Sequence, residues 1–214
     1  QTDLNLLNLS NSTAGSCGGA IWTDGDITMI DSNVDISSSS NNGGAIYGNN
    51  YESFYFENSS IINASAGGSG GAIWMGSHSK IEANGSHFDS NSSGGEGGGI
   101  YFTHNEPDTL IMDNSTIDNN TSIGNGGAVY AYDNDNLVYL NTFESSISEN
   151  SSGSSKGAGI FGRGTLNINF SEINDNTCEN DGGGIYWEHG QVTIERTDIR
   201  RNHAARGGGV FILA

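Results

Sequence analysis

The chain has 214 residues, of which 33 are glycine and one is proline, and only 34% are hydrophobic. Its formal net charge of −18 excludes nucleic acids and anionic membrane surfaces as expected partners, because binding them requires clustered Lys and Arg. The sequence contains no run of about 18 apolar residues, so no membrane insertion is expected.

One short string recurs along the whole chain: a pair of residues that is almost always Gly-Gly, then a small residue, an aliphatic residue and an aromatic residue. The copies start at Gly18, Gly43, Gly70, Gly97, Gly126, Gly157, Gly182 and Gly207. They are 25 to 31 residues apart. Self-similarity at such a spacing indicates a fold built from stacked structural repeats.

A second signature lies between these strings. Apolar residues alternate with polar ones, then comes Ser or Thr, then a further apolar residue, as in residues 27–34, 110–117 and 192–199. Alternation with period two predicts strands, and no segment shows the helical period of 3.6. Each repeat therefore offers three short strands, the last of which ends in an apolar-x-x-Asn pattern in most copies.

Three strands in about 25 residues correspond to one coil of a parallel β-helix, whereas a propeller blade needs about 40 residues. We predict an all-β fold, a single parallel β-helix (solenoid) of about eight coils with three strands per coil. Residues 1–214 form this one domain or a segment of a longer solenoid. At about 4.8 Å per coil, eight coils make a rod roughly 38 Å long.

The repeated positions have distinct physical roles. The aliphatic residue of each Gly-Gly string should point inward and stack as a ladder, since β-branched side chains suit such positions. The Ser/Thr and Asn positions should lie at corners, where stacked side chains bond turn backbone and each other. The paired glycines permit a positive φ at another corner.

The Gly-Gly-Ala-Ile strings together with Phe88-Asp-Ser-Asn91 resemble the repeat of chlamydial-type polymorphic outer-membrane proteins, within the pectin-lyase-like class. The resemblance extends over essentially residues 2–211. It implies a right-handed parallel β-helix on a cell surface, commonly part of an adhesin.

The aromatic residue of each string forms a row. If the preceding aliphatic residue points inward, strand alternation turns these rings outward, where they could stack on sugars or contact a partner. Alternatively, the rings fill a corner of the core or lie under the following loop. In chain order the row is Trp22, Tyr47, Trp74, Tyr101, Tyr130, Phe161, Tyr186 and Phe211. The ligand-binding candidates are its Trp and Tyr residues: Trp22, Tyr47, Trp74, Tyr101, Tyr130 and Tyr186.

Two long connections, 102–109 and 131–139, fall on adjacent coils and are rich in acidic residues. Oxygen ligands at this density could bind calcium, although a solvated acidic loop is the alternative. No other cofactor is expected. The metal-ligand candidates are His104, Glu106, Asp108, Asp133 and Asp135.

Evidence for catalysis is weak. Glycan-cleaving enzymes need an acidic cluster with a basic residue, or closely placed carboxylates. The nearest arrangement is Glu188-His189-Gly190, expected in a short loop. We therefore expect a non-enzymatic scaffold, with a polysaccharide-cleaving or polysaccharide-binding protein as the alternative.

The two cysteines, Cys17 and Cys178, lie six coils apart. At about 4.8 Å per coil they are separated by roughly 29 Å along the axis. A disulfide requires Cα atoms within about 7 Å, so we expect no bond between them in one chain.

Eleven Asn-x-Ser/Thr sequons occur in the sequence. Three of them, at Asn91, Asn120 and Asn150, belong to the predicted ladder and should be buried. The outward ones are glycosylation candidates if the protein passes through a glycosylating pathway. These candidates are Asn8, Asn11, Asn58, Asn63, Asn84, Asn114, Asn119 and Asn169.

The ends of the sequence suggest axial association. The chain opens on the second strand of one coil and stops after the first strand of another, so a second copy would continue in phase. The last coil carries Arg196, Arg200, Arg201 and Arg206, and the first coils are acidic. We expect head-to-tail self-association or further coils of a longer chain.

These features together predict an extracellular or cell-surface structural solenoid that acts as a stalk, fibre or adhesin. A rigid rod without a catalytic cluster suits display or reach. The expected partners are the protein itself and a glycan or another molecule on a host or cell surface.

Overall fold

The structure is a computed structural model that describes residues 1–49, 51–102, 107–132, 135, 138–153 and 155–213. Within these residues the fold is all-β, with no helix. The strands pair in parallel and form two sheets of 14 and 13 strands. The predicted parallel β-solenoid is therefore confirmed.

The strands form three columns along the axis, named faces A, B and C in chain order. Face A contains Thr2–Asn5, Ile27–Ile30, Ser53–Glu57, Lys80–Asn84, Thr109–Asp113, Val138–Phe143 and the second parts of Ile160–Asn169 and Ile185–Glu195. Face C contains Ile21–Thr23, Ile46–Gly48, Ile73–Met75, Ile100–Phe102, Val129–Ala131, Val210–Leu213 and the first parts of the same two long strands. Faces A and C belong to one sheet because these two strands continue through both faces.

Face B is the second sheet. It begins with Asn8–Ala14 and Asn33–Ser39 and ends with Asp198–Arg200. In between, each layer has two short strands: Ser60–Ile62 with Ser65–Ala66, His87–Asp89 with Ser92–Ser93, Thr116–Asp118 with Thr121–Ser122, Ser146–Ser148 with Ser151–Ser152, and Glu172–Asn174 with Thr177–Cys178. The two-residue strand that follows each Asn corner was not predicted.

One pass of the chain through faces A, B and C makes a layer, and the described strands give eight layers connected by about seven full turns. Layer 1 begins at Thr2 and layer 8 ends at Leu213. The inward aliphatic residues of face C stack in register from Ile21 to Val210, as expected. All six members between these ends are 0% exposed and form the centre of a continuous core.

A hydroxyl ladder lies at the corner between faces A and B. From Ser32 to Ser145, the backbone N–H of each ladder Ser donates to the Ser Oγ of the next layer at 3.0–3.2 Å. Each hydroxyl from Ser59 onward donates to the carbonyl two residues before it. The ladder therefore satisfies turn backbone that would otherwise be buried without partners.

An amide ladder interrupts face B. The N–H of Asn91 donates to Asn120 Oδ1, that of Asn120 to Asn150 Oδ1, and that of Asn150 to Asn176 Oδ1, at 2.8–3.0 Å. Their side-chain amides also donate to the next Oδ1 along the column. Asn91, Asn120, Asn150 and Asn176 are no more than 1% exposed, which confirms the predicted buried ladder.

Each layer uses a left-handed residue at three turns, namely the corner between faces B and C, the corner between faces A and B, and the Asn corner inside face B. At the corner between faces B and C it is the first glycine of the Gly-Gly string, as predicted, for example Gly97 with φ 63°. The other two turns use the residue immediately before the ladder Ser or Asn, and this residue is usually not glycine. Asn119 (φ 58°) and even Phe170 (φ 51°) occupy such positions. Asn tolerates this conformation best among non-glycine residues, which accounts for its frequency there.

Cys17 is half-buried, Cys178 is buried, and both are free thiols. The expectation that they are not bonded to each other is confirmed.

Candidate functional site

The aromatic row is a continuous stack of rings outside the core. Neighbouring centroids from Trp22 to Phe211 are 4.3–6.3 Å apart, with ring planes within 15° of parallel. The rings point away from the inward Ile row because successive side chains of a strand alternate. They form a second apolar cluster, separate from the main core.

Exposure along this aromatic column falls from layer 1 towards layer 7. Trp22 is 56% exposed, Tyr47 and Trp74 are partly buried, and Tyr186 is only 2% exposed. The middle of the column is also buried, at Tyr101, Tyr130 and Phe161. Each of the two alternatives for this row therefore describes part of it: the rings point outward, yet those of layers 4–7 are covered.

The stacking limits what the column can bind. A sugar ring stacks on an aromatic face, and each interior ring has both faces against neighbouring rings. Interior rings therefore present edges. Among the described residues, only Trp22 and Phe211 have a ring neighbour of the row on one side alone. Ligand binding by the row stays a prediction, narrowed by this geometry to the Trp22 end.

A polar chain crosses the covered end of the column. Lys156 Nζ donates to the Tyr186 hydroxyl at 3.0 Å, and this hydroxyl donates to Glu188 Oε1 at 2.8 Å. Burial raises the pKa of Tyr186, and the hydrogen bond to Tyr186 raises the pKa of Lys156. At neutral pH the phenol thus stays protonated and the amine charged, so neither serves as a general base.

The segment Glu188-His189-Gly190 was expected in a loop, and this expectation is wrong. It lies inside the strand Ile185–Glu195, at an irregularity where the register with the preceding layer shifts. His189 adopts φ 49° and Gly190 φ 90°, so the strand bends there from face C to face A without a loop. His189 is exposed.

The structure separates the described members of the metal-ligand set. Asp108 is 0% exposed and its Oδ1 accepts a hydrogen bond from the Ser79 amide at 2.9 Å, whereas Asp135 is exposed. His104, Glu106 and Asp133 lie outside the described residues. Among the residues that the structure describes, no group of three or more His, Cys, Asp or Glu side chains could hold a metal ion.

The sequon asparagines divide as expected by their place in the fold. Those of the ladder are buried, and the candidates are accessible. Of the candidates, Asn8, Asn11, Asn58, Asn63, Asn84, Asn114 and Asn119 are exposed and Asn169 is half-buried. Their modification stays a prediction.

Sequence reasoning missed a groove of about 440 Å³ along the corner between faces A and B, across layers 3–7. Gly85, which has no side chain, lies in its path. Phe170 lies at one end, 46% exposed, with Phe143 against its edge and the Arg196 guanidinium over its ring. The other lining residues are mostly polar and include Asn58, His87, Asn114, Thr116, Glu144 and Glu172. The residue before each ladder Ser was the signal that could have revealed it, because these residues line the groove and most of them are polar.

The repeat of the Chlamydia polymorphic membrane protein family matches residues 85–103 and 114–132. The matched segments are equivalent parts of layers 4 and 5, because His87 pairs with Thr116 and Ile100 with Val129. The chain therefore contains polymorphic-membrane-protein-type repeats. Each matched segment runs through face B, the Asn corner and the Gly-Gly string of its layer.

Neither a curated protein nor a solved structure matches the chain at a significant level. The family of these polymorphic-membrane-protein-type repeats is associated with the outer membrane and the cell surface. Among the described residues, no helix is long and apolar enough to cross a membrane.

Proposed function

We propose that the chain is the surface-exposed structural part of an adhesin-like protein, acting as a rigid arm that presents its side faces to a partner outside the cell. The observation that carries this proposal is the pair of side-chain ladders that run with the parallel strands through the solenoid. Stacked repeats coupled at each layer resist bending and expose long lateral surfaces. The surface association of the repeat family agrees with this role.

The contact surface that we propose is the groove between faces A and B. Its lining combines amide, hydroxyl and carboxylate groups with the exposed ring of Phe170, a combination suited to the hydroxyl groups of a glycan. The groove runs along the axis, so an extended glycan would contact several layers at once. Of the polysaccharide-binding or polysaccharide-cleaving alternative, the proposal keeps binding.

Binding of beads coated with the protein to immobilised glycans and to intact cells tests the proposal. Thr116→Trp should fill the groove and abolish binding, because Thr116 lines it. Thr165→Trp, on face A, is the matched control and should bind like wild type. Equal binding by the wild type and both variants would show that the partner does not bind in the groove. No binding by the wild type to any surface would refute the adhesin role.

We also propose that the solenoid continues axially through another β-coil, of a second copy or of the same polypeptide. The end surface of layer 1 is apolar and lined by Leu4, Leu9, Ile21 and Ile27. Uncovered strand edges of this kind recruit other strands. Attraction between the basic last coil and the acidic first coils is weaker than expected, because two of its arginines are paired within the chain. Arg206 binds Asp181 and Arg201 binds Asp175, each through two hydrogen bonds.

Light scattering over a range of protein concentrations tests this second proposal. The protein should form oligomers, and Leu4→Glu, which places a charge on the end surface, should keep it monomeric. A wild-type protein that stays monomeric at all concentrations would exclude assembly through copies.

A further inference from the structure

Three polar residues stack inside the solenoid where face C turns into face A. Ser53 pairs with Lys80 and Lys80 with Thr109, so the residues just before them, Glu52, Ser79 and Asp108, follow one another in layers 3, 4 and 5. Phe54, two residues after Glu52, is part of the core, and alternation places Glu52 on the same inward side. Exposure is 2% for Glu52, 2% for Ser79 and 0% for Asp108.

Two members of this interior column, Glu52 and Ser79, have side-chain oxygens without hydrogen-bond partners among the described residues. These are both carboxylate oxygens of Glu52 and the Ser79 hydroxyl. None of the seven Lys and Arg residues, all of them within the described part of the chain, is buried. Lys80, the nearest in sequence, pairs with Glu82 at the surface, 2.6 Å away.

The local electrostatics favour a positive ligand. A buried carboxylate without a partner is unfavourable, and a bound cation removes that penalty by neutralising the charge. Asp24 and Asp26 are exposed in the adjacent layer, where they attract cations towards the column.

We propose that Glu52 and Ser79 form an internal Ca²⁺ site, with Asp108 supplying a second carboxylate from the next layer. Hard oxygen donors from carboxylates, hydroxyls and backbone carbonyls are the ligands of Ca²⁺, which accepts irregular geometry, whereas Mg²⁺ demands near-ideal octahedral coordination. The site is not a cluster of His, Cys, Asp and Glu alone, since it includes the Ser79 hydroxyl. The proposed site also differs from the calcium candidates predicted in connections 102–109 and 131–139, because Asp108 is the one residue common to both.

Thermal unfolding of the full chain in CaCl₂, in MgCl₂ and in EDTA tests the site. At a Ca²⁺ concentration about a hundredfold above Kd, binding should raise the Tm of the wild type by roughly 5–10 °C over EDTA, and Mg²⁺ should raise it less. Glu52→Gln, which keeps the size of the side chain, should abolish the response. Glu57→Gln is the control and should respond like wild type, because Glu57 ends the strand that follows Glu52 and its carboxylate accepts a hydrogen bond from the Tyr55 hydroxyl.

Calorimetric titration with CaCl₂ keeps the proposal testable if a variant unfolds. The wild type should bind one Ca²⁺ per chain, and Ser79→Ala should weaken the Kd by about tenfold. Equal Tm values for the wild type in Ca²⁺ and EDTA would overturn the proposal. So would a Glu52→Gln protein that responds to Ca²⁺ like wild type, since the ion would then bind only the acidic surface.

Discussion

Asn120 couples three layers through the amide ladder, so its replacement should destabilise the solenoid strongly. Its Nδ2 donates to Phe88 O and Asp118 O at 2.9 Å each, and to Asn150 Oδ1 at 3.1 Å. Its Oδ1 accepts from the backbone N–H and the side-chain amide of Asn91, at 2.9 and 3.0 Å. All these groups lie in or beside the buried ladder, where water cannot replace the lost partner.

Asn120→Leu changes the side-chain volume little but removes all five hydrogen bonds. The Asn91 N–H and the Phe88 carbonyl then lose the partner that Asn120 provides. At about 1–3 kcal/mol for each buried group left unpaired, the free energy of unfolding should fall by about 2–6 kcal/mol. Thr121→Leu, one residue further on and exposed, should change it by no more than about 0.5 kcal/mol.

Urea unfolding followed by circular dichroism measures both variants. The midpoint should move to lower urea for Asn120→Leu alone, with a second transition if layers 4–6 uncouple from the rest. Coincident unfolding curves for wild type and Asn120→Leu would refute the ladder as a source of stability.

Three further predictions concern other parts of the solenoid. Gly98→Ala should prevent or strongly weaken folding, because its Cβ would lie 2.2 Å from a backbone oxygen of the next layer, whereas Gly15→Ala meets nothing within 4 Å and should leave the Tm unchanged. Tyr130→Ala should cost about 3–5 kcal/mol in urea unfolding, and Trp22→Ala under about 1 kcal/mol, because their exposures are 5% and 56%. The hydrogen bond from Arg206, in layer 8, lowers the pKa of Asp181. The stability that this ion pair contributes is therefore present above about pH 4 and is lost as the pH falls through the folded-state pKa of Asp181. Hydrogen exchange should show layer 8 opening first in acid.

The sequence by itself determined the solenoid, the inward aliphatic row and the two ladders. Each of these depends on a residue type recurring at one place in every coil, and in-register stacking makes every coil face the same environment. The periodic pattern of the sequence therefore predicts which side chains are packed in the core. The buried Asn120 and the exposed Asn119 could be told apart in this way, because only one of them lies on the apolar-x-x-Asn position.

Only the tertiary structure decided the features that do not repeat. Glu52, Ser79 and Asp108 each precede the first apolar residue of a face A strand by two residues, so the sequence aligns them. Because they lie outside the strands, in connections of variable length, only the structure shows that they are buried. Likewise, alternation predicts that the Tyr186 ring points outward, but its burial depends on neighbouring rings and on Lys156 from the preceding layer. The physical reason is the same in both cases: exposure and partners are set by contacts between layers, and these contacts vary wherever the lengths of the connections differ.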